Sequence, residues 1–350
     1  MELQYIFSIL GAIISFFSTE LLLRIFNRKH QHIAEHTICS IALISGIICI
    51  FFFNIATDSI SELSLFQYLL PLISATVFML IPTSKFKLFS RILIIYSITL
   101  CIIFLLKPLL FPQLPKSINY LIISAIWSFI TLSLRCINII AGQISLSVTI
   151  FGLGLFIFYF LGGLPFAIGF SALCTGASSL SFYLKNRISP TVKLSEQGAD
   201  SLGFLIGGFV ILTIPEQSFP ATAILLFFPF CEIIFALIQS LPFFNHGNKL
   251  RENTACFKAC STGLNCEIID RIYFKIMIMT LFFGCFQLYA PASYSLWPIC
   301  LVIVIWQQYR IIHWSTLSSG INDTNQKFVS NLNKQITSLK ENFKQTDKKR

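Results

Sequence analysis

Charge is scarce in this chain. Only 11% of its 350 residues are Asp, Glu, Lys or Arg, whereas a soluble domain needs about 25% to dress its surface. That shortage excludes a water-soluble globule and leaves lipid to cover most of the molecule. Acids are scarcer than bases, with 15 Asp and Glu against 25 Lys and Arg. Closely paired cysteines are lacking as well. Of eleven cysteines, Cys39, Cys49, Cys101, Cys174, Cys231, Cys285 and Cys300 lie inside apolar runs, where a thiol acts as a small hydrophobe. Cys256, Cys260 and Cys266 share a polar stretch with His246 upstream, but their spacing is not the C-x2-C of a zinc site, so reduced structural cysteines are expected. The first apolar run lacks a basic leader, its only early charge being Glu2, so it reads as a retained span and not a cleaved signal.

What the chain does have is apolar length: 55% hydrophobic residues, 37 of the 350 being Phe. Eleven runs stand out, at 4–26, 37–54, 64–82, 90–112, 118–140, 146–162, 165–184, 200–215, 220–243, 273–291 and 294–312, several near the roughly 20 residues that cross a bilayer. Gly162-Gly163-Leu164-Pro165 makes only a brief break. If the runs alternate sides, every Lys and Arg except Lys107 and Lys116 falls on one face. The expected fold is therefore all-α and polytopic, with eleven transmembrane helices, the amino terminus outside and the carboxy terminus cytoplasmic. Residues 1–315 form the membrane domain and 316–350 a basic tail. In the tail Phe328, Leu332, Ile336, Leu339 and Phe343 make one helical stripe among Lys327, Lys334, Lys340 and Lys344. Such a stripe suits either a solvated amphipathic helix or one lying on anionic lipid.

The polar cytoplasmic connections hold whatever chemistry there is. The longest-matched stretch is Phe182-Tyr-Leu-Lys-Asn186, then Pro190, then Ser195-Glu-Gln-Gly-Ala-Asp-Ser-Leu-Gly-Phe204. With the eleven-span layout and five cytoplasmic loops, it resembles the polyprenyl-phosphate N-acetylhexosamine-1-phosphate transferases, also grouped as glycosyltransferase family 4. The resemblance implies transfer of a sugar phosphate from a UDP-sugar to a polyprenyl phosphate such as undecaprenyl phosphate, with Mg²⁺, at the inner membrane of a bacterium, in cell-envelope synthesis. Glu196 stands at the family's aspartate, Asn138 at its second loop asparagine and Gly142 at its loop glycine. Other motif positions have changed. Ile81-Pro82-Thr83 replaces an acidic pair, Ala141 and Ile144 replace aspartates, and Asn253-Thr-Ala-Cys256 replaces the histidine cluster.

Phosphoryl transfer concentrates negative charge and calls for a metal held by carboxylates. With those acids gone, the expected role is a catalytically degenerate member that binds or scaffolds. Glu196 and Asn138 are its candidate catalytic residues, and Glu196 its candidate metal ligand. Lys85, Lys87, Lys193, Arg251 and Lys258 are candidates for holding a headgroup or pyrophosphate. Plain alternatives stand beside these: Glu196 as a helix-terminal charge, Asp200 as the N-cap of the eighth span, Asn138 bonded to backbone or water, Glu232 within its apolar span either paired or facing a cavity, and His30, His32 and His36 in a solvated basic loop. Two other functions stay open, an active divergent transferase using Glu196 and a transporter or flippase of a lipid-linked substrate. No nucleic-acid partner is expected.

Overall fold

The computed structural model describes residues 2–26, 73, 75, 88–138, 142–188, 194, 196–216, 218–240, 252, 254–262, 266–289 and 296–313. Among these residues the chain is helical, with no strand. The helices are α1 (Glu2–Phe26), α2 (Leu88–Leu106), α3 (Lys116–Cys136), α4 (Gln143–Phe160), α5 (Phe166–Ile188), α6 (Glu196–Leu212), α7 (Phe219–Ile224), α8 (Phe227–Ser240), α9 (Ala255–Ser261), α10 (Cys266–Tyr289) and α11 (Leu296–His313). Six of them, α2 to α5, α10 and α11, are long and apolar enough to cross a membrane. The protein is a helical membrane protein. The run expected at 37–54, all of that at 64–82 except residues 73 and 75, and the tail at 316–350 lie outside the described residues.

Burial sorts the six. In the apolar window of α5, 72% of residues are buried, against 22% in α11, so α5 is central and α11 is peripheral. Around α5 pack α1 and α4. α3 packs on α2, α6 and α8, and α10 on α4 and α7. Lipid tails are as apolar as leucine, so helices in a bilayer are held by close backbone approach and buried hydrogen bonds. Both occur here. Gly203 and Gly207, four apart on α6, face Thr131 and Trp127, four apart on α3, and the Trp127 indole N–H donates to the Phe204 carbonyl at 2.8 Å. Between α4 and α5, Gly152 lies against the Ala172 carbonyl and Gly176, and the Thr149 hydroxyl donates to the Gly176 carbonyl at 3.2 Å. Thr99 of α2 meets the Ser128 hydroxyl of α3 at 3.3 Å.

The break between α4 and α5 falls where the sequence places it. Gly162 takes φ +79°, a left-handed geometry that glycine adopts without strain. Other boundaries differ from expectation: α10 begins at Cys266 and not at 273, and α2 ends at Leu106 and not at 112. The eighth run begins at Glu196 and not at 200, and its helix has 17 residues. The ninth, expected as one span over 220–243, divides into α7 and α8 around Leu225 and Leu226. Pro229 explains the division: it has no N–H to give the Leu225 carbonyl, and regular bonding resumes from the Phe230 N–H to the Leu226 carbonyl at 3.0 Å.

A side chain added at Gly203 would place its Cβ 2.8 Å from the Thr131 carbonyl oxygen and 2.9 Å from the Thr131 Cα. Backbone cannot rotate out of the way as a side chain can. Gly203→Val is expected to destabilise the protein by about 1–3 kcal/mol, read as a lower melting temperature in detergent.

Candidate functional site

α3 and α6 bring their polar ends to the same side of the bundle. α3 carries Arg135 in its last turn, where a cation complements the exposed carbonyls, and α6 opens with Glu196, where an acid complements the exposed N–H groups. Glu196 and Asp200 are four residues apart, so they share one face of α6. The Arg135 guanidinium spans both. Its Nη1 donates to Asp200 Oδ2 at 2.8 Å, and its Nη2 donates to Glu196 Oε2. Arg91 of α2 lies 3.7 Å from the same Glu196 oxygen. Asp200 is fully buried and the Arg91 side chain nearly so, whereas the Glu196 side chain is 45% exposed. Two guanidinium groups thus face two carboxylates, the balance that buried charge requires. Just beyond α3, the Asn138 amide donates to the Leu194 carbonyl at 3.0 Å, fixing the chain that leads into α6.

A second polar cluster joins α5 to α10. Asp270 Oδ2 accepts from Arg187 Nη1 at 2.6 Å and from the Tyr183 hydroxyl at 2.9 Å. A turn earlier on α10, Glu267 lies 3.9 Å from Arg271. Deeper in, the fully buried Glu232 of α8 accepts from the Ala255 N–H at 3.0 Å and from the Cys256 thiol at 3.2 Å. It thereby satisfies the start of the short helix α9, whose N-cap is Thr254. Gln143, at the start of α4, approaches Cys256 from the other side at 3.9 Å.

The expected site residues therefore separate into structural roles. Glu196 is an ion-paired helix terminus, and Asn138 bonds backbone. Asp200 is not the N-cap of α6; it lies one turn inside the helix, drawn to Arg135. Glu232 is paired, as expected of an acid in an apolar run. Lys258 reaches over the Phe235 ring, 6.0 Å from its centroid. Lys85, Lys87, Lys193, Arg251, His30, His32, His36 and His246 lie outside the described residues. The three loop cysteines do not converge. Cys256 is buried beside Glu232, while the Cys260 and Cys266 sulfurs lie 3.3 Å apart.

Magnesium does not fit the described residues. It takes oxygen ligands, chiefly carboxylates with waters and phosphates, yet both carboxylates of the best-matched stretch are engaged by guanidinium groups. Among the described residues no three His, Cys, Asp or Glu side chains come together as a ligand set.

The sequence reading misses Arg91 and Arg135, counted only as cytoplasmic charge. The signal for Arg135 is its place in the last turn of a span, level with the stretch that carries Glu196. Asn186 is matched by sequence but given no role. It is 4% exposed, and among the described residues neither its Oδ1 nor its Nδ2 has a hydrogen-bond partner.

A scan against protein-family models gives no match, and no curated protein matches the chain.

Arg135→Gln would take from the buried Asp200 carboxylate the guanidinium that pairs with it. It is expected to cost about 3–5 kcal/mol, and the Arg135→Gln/Asp200→Asn double variant should recover much of that in a detergent melting series. Burial, helped by the neighbouring Cys266 thiol, pushes the Cys260 thiol up to about 12. Cys260 therefore stays protonated through the range in which an ordinary thiol ionises, near 8.5. Mass spectrometry after maleimide treatment at neutral pH should find the exposed Cys266 modified before Cys260, and Cys260 labelling should keep accelerating as the pH is raised past 9.

Proposed function

We propose that this chain is a non-catalytic relative of the polyprenyl-phosphate N-acetylhexosamine-1-phosphate transferases that serves as a binding or scaffold protein in an inner membrane. On this reading all eleven apolar runs cross the bilayer, the amino terminus lies outside and the polar helix ends face the cytoplasm. The observation that carries the reading is the engagement of Glu196 and Asp200 by Arg135. In an active transferase the acids of this stretch must be available to metal and phosphate. Here a guanidinium fills that place and ties α3 to α6. The replacement of acids at Ile81, Ala141 and Ile144 points the same way. The resident ligand of such a protein is a polyprenyl phosphate, with a UDP-sugar as the second candidate.

The purified full chain, given UDP-GlcNAc, undecaprenyl phosphate and Mg²⁺, is expected to release no UMP above a protein-free blank. Robust UMP release that disappears in Glu196→Gln would overturn the proposal in favour of a divergent enzyme. Failure to retain undecaprenyl phosphate in a lipid-binding assay would favour a transporter of some other substrate.

A further inference from the structure

A crevice of about 240 Å³ opens between α10 and α11, lined by Ile272, Lys275, Ile276 and Met279 on one side and Gln307 and Arg310 on the other. Among the described residues its lining carries two cations, Lys275 and Arg310, with Gln307 and three apolar side chains. No acid lines it. The acids nearest in sequence on α10 are taken elsewhere, Asp270 by Arg187 and Glu267 by Arg271. Arg310 Nη1 donates to Gln307 Oε1 at 3.4 Å, which places an amide beside the guanidinium. Among the described residues Lys275 makes no ion pair.

The surroundings fix how this crevice sits in a bilayer. Trp306, Tyr309 and His313 stack in series along α11, with successive ring centroids 6.1 Å apart. Aromatic rings with polar edges gather at the membrane–water boundary, so Arg310 lies at headgroup depth. From Lys275 the same face of α10 runs on through Met279 to Phe282 and Phe286, at helical steps of four, three and four. From Arg310 the matching face of α11 runs through Trp306 and Val302 to Ile299. Phe282, Phe286, Ile299, Val302 and Trp306 are all exposed. The result is a two-cation pocket at the membrane surface, continuous with an apolar track that leads toward the bilayer centre. The volume is below the roughly 300 Å³ at which pockets begin to enclose a whole drug-sized ligand. It suits a headgroup whose chains lie outside along the track.

We propose that the crevice between α10 and α11 is a binding site for an anionic phospholipid, with the lipid phosphate between Lys275 and Arg310 and the acyl chains along Phe282, Phe286, Val302 and Ile299. The leaflet is the one at the Cys266 end of α10, the cytoplasmic leaflet under the positive-inside arrangement. The site shares no residue with the Arg135 cluster and needs no sugar nucleotide. A chain that released UMP would still be expected to hold phospholipid here, and loss of this site would leave the transferase likeness untouched.

The test uses the full chain in detergent, with native mass spectrometry counting retained lipid and a melting assay following stabilisation. The probes are phosphatidylglycerol, phosphatidylcholine and inorganic phosphate. Phosphatidylglycerol is expected to be retained in preference to phosphatidylcholine, and inorganic phosphate is expected neither to stabilise the protein nor to displace the lipid. Each cation near a membrane surface strengthens attraction to anionic lipid about fivefold, so Lys275→Gln/Arg310→Gln is expected to weaken phosphatidylglycerol retention about 30-fold. Met279→Trp, which fills the crevice and keeps both cations, should weaken it as well, while Lys275→Arg should preserve it. The Trp variant also keeps the test decisive if the double variant fails to fold. Equal retention of phosphatidylcholine, unchanged retention in either weakening variant, or saturation by inorganic phosphate alone would overturn the proposal.

Discussion

A single guanidinium sets the character of one end of the helix bundle. Arg135 closes α3 and grips both acids at the start of α6, one of them fully buried. In an apolar environment neither partner can lose the other cheaply, because an unpaired buried ion costs far more than the pair itself contributes. The seam between α3 and α6 is therefore fixed in register at this end, and Arg91 of α2 is drawn to the same point. The carboxylates that look most like chemistry in the sequence are the ones most committed to structure.

The rest of that seam depends on size more than charge. Gly203 and Gly207 let the α6 backbone approach Thr131 and Trp127, and the same device recurs where Gly152 meets Ala172 and Gly176 between α4 and α5. Close approach brings hydroxyls and an indole within reach of carbonyls on the neighbouring helix, which gives each seam a directional bond that lipid cannot replace. The peripheral helices are built differently. α11 buries little of its surface; it meets the core through Cys300, Val304 and Ile311, and its Trp297 indole donates to the Pro220 carbonyl at 3.1 Å. That looser attachment leaves room for a crevice beside α10.

The coarse fold is legible in the sequence because apolar length and the distribution of cations are additive properties of short windows. Each of the six membrane-length helices overlaps one expected run, and the break at Gly162 is written in its glycines and proline. The division of the ninth run is also written, in Pro229, but a hydropathy window averages over a single missing N–H. The candidate site is less legible. Glu196 and Asp200 are conspicuous as acids, but the partner that decides their role lies 61 and 65 positions away. In the sequence Arg135 looks like any other cation at the end of an apolar run until α3 and α6 are packed. Asp200 reads as an N-cap because the start of a helix is a local signal, whereas the pull of Arg135 is tertiary. Glu232 is the easier case, since an acid in an apolar run must find partners. That they are the N–H and thiol opening α9 could not be read from spacing.

Trp127 stands at the centre of the α3–α6 seam, fully buried, its ring tilted against that of Phe204 at 4.9 Å between centroids and hydrogen-bonded to the Phe204 carbonyl. Trp306, by contrast, faces outward. The chain has four tryptophans, and these two sit in opposite surroundings. The indole that fastens the seam is thus also an optical gauge of it. Water-soluble quenchers have no route to Trp127 while α3 and α6 are joined, and its emission belongs to a dry, rigid site. Any partner or lipid that pries the two helices apart announces itself in the fluorescence of the native chain, with no label attached.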